Sequence, residues 1–75
     1  MDKVIEILKG INPNVDYETE DDLINHKLLK SFDIVRLVTE LEDEFDIEIS
    51  PAYVIPENFA SAKTIYELIK RIEEE

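Results

Sequence analysis

The apolar residues of segment 31–45 recur at helical spacing, and this restricts the possible folds more than any other feature of the sequence. On a wheel of about 100° per residue, one apolar set falls within about 60° of Ile34. This set consists of Ile34, Leu37, Val38, Leu41 and Phe45. Such a stripe is typical of a helix that packs against a core. We therefore predict a central helix over residues 31–45 with Ser31 as its N-cap, since a serine hydroxyl can accept a hydrogen bond from the first turn.

A second apolar set lies on another face of the same predicted helix. Phe32, Val35 and Thr39 fall about 100–160° away from Ile34. Large apolar side chains outside a core stripe, beside acidic residues, indicate a surface that meets a partner. A short neighbouring segment that covers these residues is the alternative interpretation, and the sequence does not decide between the two.

The composition favours a small helical domain. The chain has 75 residues and no cysteine, so neither disulfide bonds nor thiolate metal sites support the fold. A domain of this size has a modest core, and a helical bundle with one continuous core is the economical arrangement. One glycine and three prolines argue against a turn-rich β protein. We predict a single domain over residues 1–75 with an all-α fold.

A first helix and a long connection precede the central helix. Apolar periodicity predicts the first helix over residues 2–10, with Gly10 placed to end it. Residues 12–30 then form a connection that is long for a compact domain and must pack through its own apolar side chains. Within this connection, Thr19 is positioned to cap a single helical turn. The candidates for packing are Val15, Tyr17, Leu23, Ile24, Leu28 and Leu29.

Shorter elements follow the central helix. Residues 46–49 alternate polar and apolar side chains, and we predict an extended exit that buries the two isoleucines, since the sequence offers no partner strand. Ser50 and Pro51 are a typical helix start, and Pro56 interrupts the short helix that they begin. Ser61 caps the predicted last helix. The face of that helix predicted to be buried consists of Ile65, Leu68, Ile69 and Ile72.

The charge balance bears on partners. The formal net charge is −11, and residues 31–49 alone carry seven acidic side chains against one basic side chain. This charge disfavours nucleic acid and anionic membranes and favours basic protein surfaces, although acidic surfaces also aid solubility. The like charge opposes dimerisation, so we expect a monomer. The sequence contains no apolar run of about 20 residues and no hydrophobic signal core at its start, which predicts a cytoplasmic protein.

The residues that catalysis would need are missing from the sequence. The single histidine, His26, has no evident nucleophile or orienting partner. One glycine cannot supply a phosphate-binding loop, and the acidic run 42–46 lacks the ligand spacing of a calcium loop. We expect no enzyme activity and no metal site.

The segment from Leu29 to Ile49 resembles the second helix of acyl carrier proteins. It has their serine, large apolar residue, aspartate, spaced apolar residues and then an acidic stretch that ends in phenylalanine. The order of a first helix, a long loop, a short third helix and a final helix is also that family's layout. The chain looks most like the free-standing bacterial carriers, including those that serve adenylating enzymes. The resemblance implies an all-α four-helix bundle of acyl carrier protein type with a short third helix.

This resemblance implies that Ser31 carries 4′-phosphopantetheine, installed from coenzyme A by a phosphopantetheinyl transferase. The terminal thiol would hold an acyl or aminoacyl group as a thioester for loading and transfer enzymes with basic docking surfaces. Fatty acids, as in fatty acid biosynthesis, amino acids such as D-alanine and polyketide units all remain open as cargo. The residues expected to meet partners are Phe32, Asp33, Val35, Arg36, Thr39, Glu40 and Glu42.

The sequence departs from the family beside Ser31. The preceding residue is Lys30, where these carriers usually have aspartate, and Lys27 and Arg36 add two more basic groups. In one interpretation, Lys30 pairs with an attached phosphate and the partner enzymes are adapted to it. In the other, Ser31 stays unmodified and the chain is an acidic protein-interaction module on the same fold.

Overall fold

The amphipathic segments of the sequence form helices, and the segments between them form turns. A computed structural model describes residues 2–74, and within these residues there are three α-helices, two short 3₁₀-helices and no strand. The α-helices are α1 (Asp2–Ile11), α2 (Ser31–Phe45) and α3 (Ala62–Glu73), and the 3₁₀-helices are Pro51–Tyr53 and Pro56–Phe59. The prediction of an all-helical chain is confirmed, as are the bounds of the central helix. The short helix predicted after Ser50 is present as two 3₁₀ turns, because Pro56 interrupts it.

One hydrophobic cluster joins the three α-helices. The stripe predicted for α2 faces this cluster: Leu37 and Leu41 are fully buried, and the other three members are half-buried against the core. The fully buried partners of this stripe on the other two helices are Val4, Leu8, Ile65, Leu68 and Ile69. Burial of these side chains is the main stabilising contribution available to so small a chain.

The long connection 12–30 packs through its own side chains, as predicted. Val15, Tyr17, Leu23 and Leu29 are buried, and Ile24 and Leu28 are half-buried. The Tyr17 hydroxyl lies 3.1 Å from the Leu8 carbonyl oxygen and 2.7 Å from that of Asn12, so it donates to the C-terminal end of α1. Burial raises the pKa of Tyr17, and the Asp33 carboxylate raises it further. The phenol therefore remains a donor at neutral pH.

The predicted end of α1 at Gly10 is wrong, because the helix continues through Gly10 to Ile11. The Asn12 N–H still donates to the Leu8 carbonyl at 2.8 Å, and Pro13 then prevents a further helical turn. The Asn12 side chain accepts from the Asn14 N–H at 3.2 Å and donates to the Leu28 carbonyl at 3.3 Å. Asn12 therefore joins the end of α1 to the segment that leads into α2.

The predicted capping role of Thr19 is also wrong. The Asp16 carboxylate accepts from the Glu18 N–H at 3.2 Å, and the Thr19 hydroxyl is directed back to the Asp16 carbonyl at 3.4 Å. Asp22 caps the next turn by accepting from the Asn25 N–H at 3.2 Å. Aspartates provide these turns because a carboxylate is the stronger acceptor for backbone N–H groups.

The two predicted serine caps after α2 are confirmed. The Ser50 hydroxyl accepts from the Ala52 N–H at 3.3 Å, and the Ser61 hydroxyl accepts from the Thr64 N–H at 3.1 Å. In the exit segment between α2 and Ser50, Ile49 is buried and Ile47 is half-buried. The exit therefore returns the chain to the core before the 3₁₀ turns begin.

Candidate functional site

Ser31 is the first residue of α2 and not its N-cap. Lys30 occupies the cap position with an extended backbone, and the Asp33 carboxylate accepts from the Lys30 N–H at 3.1 Å. The predicted capping role of Ser31 is therefore wrong, because Asp33 satisfies this end of the helix from inside the first turn. Ser31 is exposed, and its hydroxyl makes no hydrogen bond to any residue between 2 and 74. The oxygen is consequently available for a covalent substituent.

The start of α2 presents several positive groups beside Ser31 and one negative group, the Asp33 carboxylate, which accepts from the Lys30 N–H at 3.1 Å. The first bond of the α2 ladder runs from the Ile34 N–H to the Lys30 carbonyl at 2.9 Å, so the three preceding N–H groups have no acceptor within the helix. These groups and the helix dipole favour a negative charge beside Ser31. Lys27 and Lys30 are both exposed, and neither ammonium group forms an ion pair with a residue of the described chain. A phosphodiester on Ser31 would meet positive potential from all of these sources.

A continuous apolar surface begins next to Ser31. Phe32 is 90% exposed and Val35 is 66% exposed, so the described chain supplies no segment that covers them. Thr39 is also exposed, but its hydroxyl donates to the Val35 carbonyl at 3.0 Å and is thereby satisfied within the helix. Large apolar side chains exposed together on one helix face are typical of a binding surface.

The acidic residues predicted to meet partners have additional structural contacts. Asp33 is half-buried and binds the Lys30 N–H, while Glu40 lies 3.6 Å from the Arg36 Nε in an ion pair one turn apart. Glu42 is half-buried, and its Oε2 accepts from the Ile49 N–H at 2.8 Å. These three carboxylates are therefore less available to a partner than their sequence positions indicate.

Asp43 is a surface acid that sequence reasoning missed. It is exposed and makes no hydrogen bond or ion pair with the described residues. Val35, Thr39 and Asp43 are spaced four residues apart, so they lie along one side of α2. This spacing was visible in the sequence and could have identified Asp43. We refer to Phe32, Val35, Thr39 and Asp43 as the exposed α2 face.

We predict that Glu42→Ala lowers the free energy of unfolding by about 1–3 kcal/mol, because the backbone N–H of Ile49 loses its charged acceptor. Asp43→Ala is the matched control, since it removes the same charge from the neighbouring position, and we expect a change within about 0.5 kcal/mol. Urea denaturation of both variants, followed by circular dichroism, measures the difference. Equal midpoints for the two variants would show that the Glu42 contact contributes nothing.

His26 contacts Glu20 within the connection 12–30. Its Nδ1 lies 2.9 Å from the Glu20 Oε2, and the same oxygen accepts from the N–H groups of Asp21 and Asp22 at 3.0 and 3.1 Å. Donation of a hydrogen bond to the Glu20 carboxylate and the charge of that carboxylate raise the pKa of His26, and acceptance of the same hydrogen bond lowers the pKa of Glu20. Between residues 2 and 74, no three acidic or histidine side chains are grouped closely enough to hold a metal ion.

Two further findings bear on the site. Comparisons with protein-family models, curated proteins and solved structures give no match to this chain. None of the helices within residues 2–74 has the length and apolar character that crossing a bilayer requires. Ser31, its charged neighbours and the exposed α2 face are therefore the features of this chain that bear on its function.

Proposed function

We propose that this chain is a carrier protein that holds an acyl or aminoacyl group as a thioester on 4′-phosphopantetheine attached to Ser31. The observation that carries the proposal is the state of Ser31: it is exposed at the start of α2, its hydroxyl is uncommitted, and an uncovered apolar surface begins at the next residue. The resemblance of segment 29–49 to acyl carrier proteins supplies the identity of the group. The finer architecture proposed with it is a four-helix bundle in which the two 3₁₀ turns replace the third helix.

The Ser31 oxygen is the nucleophile in the proposed attachment. Its Oγ forms a bond to the phosphorus next to pantetheine in coenzyme A, and the pyrophosphate bond breaks. Adenosine 3′,5′-bisphosphate leaves, and the hydroxyl proton passes to a base of the transferase. The product is a phosphodiester with one negative charge, which the N-terminal N–H groups of α2 and Lys30 stabilise. The group then supplies a thiol for thioester chemistry that partner enzymes perform.

The protein itself positions the attached arm and presents it. The exposed α2 face begins beside Ser31, so a partner that binds Phe32 and Val35 would hold the arm next to its own active site. An exposed apolar pair of this kind can supply the central contact of a small interface. The proposed partners are a phosphopantetheinyl transferase and the enzymes that load or remove the acyl group.

The second candidate is an unmodified protein-interaction module that uses the same surface. The specific observation in its favour is Lys30, which occupies the N-cap position where an acidic residue would normally assist both the helix and a basic transferase. In this case Ser31 would remain a free hydroxyl, and binding through the exposed α2 face would be the whole function.

Intact mass measurement tests the proposal. The protein is incubated with coenzyme A and a broad-specificity phosphopantetheinyl transferase, with Ser31→Ala as the control. We expect a mass gain of one phosphopantetheine group in the original chain and no gain in the alanine variant. Lys30→Asp is tested in parallel, because modification of that variant alone would show that Lys30 blocks this transferase. Absence of modification in both would favour the interaction module.

A further inference from the structure

The two ends of the exposed α2 face differ in their unpaired charges. Lys30 directly precedes Ser31, Lys27 lies four residues before it, and neither ammonium group forms an ion pair within the described residues. The carboxylate at this end, Asp33, is engaged with the Lys30 N–H. Lys27 has a positive φ of 60°, a conformation that glycine or asparagine would adopt at lower cost. The backbone conformation at residue 27 therefore does not explain why a lysine occupies this position.

The other acidic side chains in the second half of α2 have partners within the fold. Arg36 follows Val35, and its Nε lies 3.6 Å from the Glu40 Oε2, so this pair cancels one charge of each sign. Glu42 is engaged with the Ile49 N–H, and Glu44 forms an ion pair with Lys3 of α1 at 3.1 Å. Asp43 is consequently the acidic side chain of α2 without a partner among the described residues, and the exposed Asp46 just beyond the helix adds a second unpaired carboxylate at this end.

The separation of the two ends allows them to act independently. Ser31 and Asp43 are twelve residues apart in one helix, which corresponds to about 18 Å along its axis. The screening length at physiological ionic strength is about 8 Å. A partner charge near Lys30 is therefore largely screened from Asp43, so the contact beside Ser31 depends on the local charges there in addition to the net charge of −11.

We propose that the partner enzymes of this carrier present an acidic side chain to Lys27 and Lys30, an apolar contact to Phe32 and Val35, and a basic side chain to Asp43. This inference rests on the proposed function. It defines the partner by its charge pattern along α2 and predicts poor recognition by an enzyme with a uniformly basic docking surface. Complementary charges of this kind mainly determine association rate and partner choice.

A second copy of the chain is a less suitable occupant of this surface. An antiparallel pair of α2 helices would place Lys30 near Asp43 of the other copy, but each chain carries a net charge of −11. The repulsion between two such chains opposes association. We therefore expect sedimentation equilibrium to show a monomer. A dimer that dissociates on Lys30→Glu would overturn the proposal, because the surface would then bind a second copy.

The decisive experiment measures kcat/KM for modification of Ser31 by a transferase of known structure with a basic docking surface. Three chains are compared: the original chain, Lys30→Asn and Lys30→Asp. Asparagine and aspartate are equally good helix N-caps, so the two variants share any gain in helix stability and differ by one charge. We expect kcat/KM to rise about 2- to 10-fold for each unit of positive charge removed.

A charge-reversed transferase completes the test. In this enzyme, the basic side chain that lies nearest to residue 30 of the bound carrier is changed to glutamate. We then expect the ranking of the three chains by kcat/KM to reverse. Asp43→Lys is expected to reduce kcat/KM about 2- to 10-fold with either enzyme. Lys63→Asp on α3 is the control. It changes the net charge by the same amount as Lys30→Asp but lies on another helix, so we expect little effect on kcat/KM.

The possible failures are distinguishable. If Ser31 is modified but the rates do not depend on residue 30 or on the enzyme charge, the charge pattern is wrong and the carrier function stands. If Lys63→Asp accelerates modification as much as Lys30→Asp, the rate depends on net charge, and the proposed contact between Lys30 and the partner enzyme is wrong. If neither enzyme modifies any chain, the carrier function itself is wrong.

Discussion

Truncation of Leu41 to alanine is expected to lower the free energy of unfolding by about 2–5 kcal/mol. Leu41 is fully buried in α2 within the cluster that joins the three α-helices. The change removes apolar surface from the core and leaves a cavity that its neighbours fill only in part. Since a typical domain has about 5–15 kcal/mol of total stability, a chain of this size would lose a large fraction of its own.

Val35→Ala is the matched control for this prediction. Val35 belongs to the same helix but is 66% exposed, so we expect a change within about 0.5 kcal/mol. Urea denaturation compares the two variants, with helix content followed by circular dichroism. An unchanged midpoint for Leu41→Ala would contradict the assignment of its side chain to the core.

The two apolar faces of α2 could be predicted from the sequence. The reason is that helical periodicity fixes which side chains share a side, and this repeat does not depend on the rest of the chain. Leu37 and Leu41 are buried, as the periodicity predicts, whereas the exposure of Phe32 and Val35 was left open by the sequence and is decided by the structure. Asp43 belongs to the same face, but neither the apolar pattern nor the resemblance to acyl carrier proteins includes it.

The hydrogen bonds at the ends of α1 and α2 could not be predicted in the same way. Ser31 and Asp33 can both supply an acceptor at the start of α2, and the sequence alone does not determine which one the first turn uses. In the structure, the Asp33 carboxylate accepts the hydrogen bond from the Lys30 N–H. This outcome matters for function, because it leaves the Ser31 hydroxyl without a structural hydrogen bond.

Side-chain contacts between neighbouring elements were also beyond the sequence. Glu42 appeared to be a surface acid, but its contact with the Ile49 N–H depends on how the exit segment turns back toward the core. Tyr17 was predicted to be buried, yet its bonds to the Leu8 and Asn12 carbonyls require the path of the connection. Periodicity predicts faces, whereas hydrogen bonds across a turn require the three-dimensional path of the chain.

Val35→Asp is expected to reduce kcat/KM for modification of Ser31 by about 10-fold or more. The proposed partner covers Val35 with an apolar contact, and a carboxylate at that position would be desolvated without a compensating partner. Val35 is 66% exposed and outside the core cluster, so the helix content should remain unchanged. Mass spectrometry of the modification reaction, with circular dichroism of the same samples, measures both quantities.

Val35→Leu is the control that separates apolar contact from backbone effects. Leucine retains an apolar side chain and has a higher helix propensity than valine, so modification should stay within about 3-fold of the original rate. The loss in Val35→Asp should also persist at high salt, since it arises from desolvation, whereas the effects of Lys30 and Asp43 should diminish as salt screens them. A loss that disappears at high salt would assign Val35 to the electrostatic part of the interface and contradict an apolar contact. Loss of helix content in Val35→Asp would instead place this side chain in the fold.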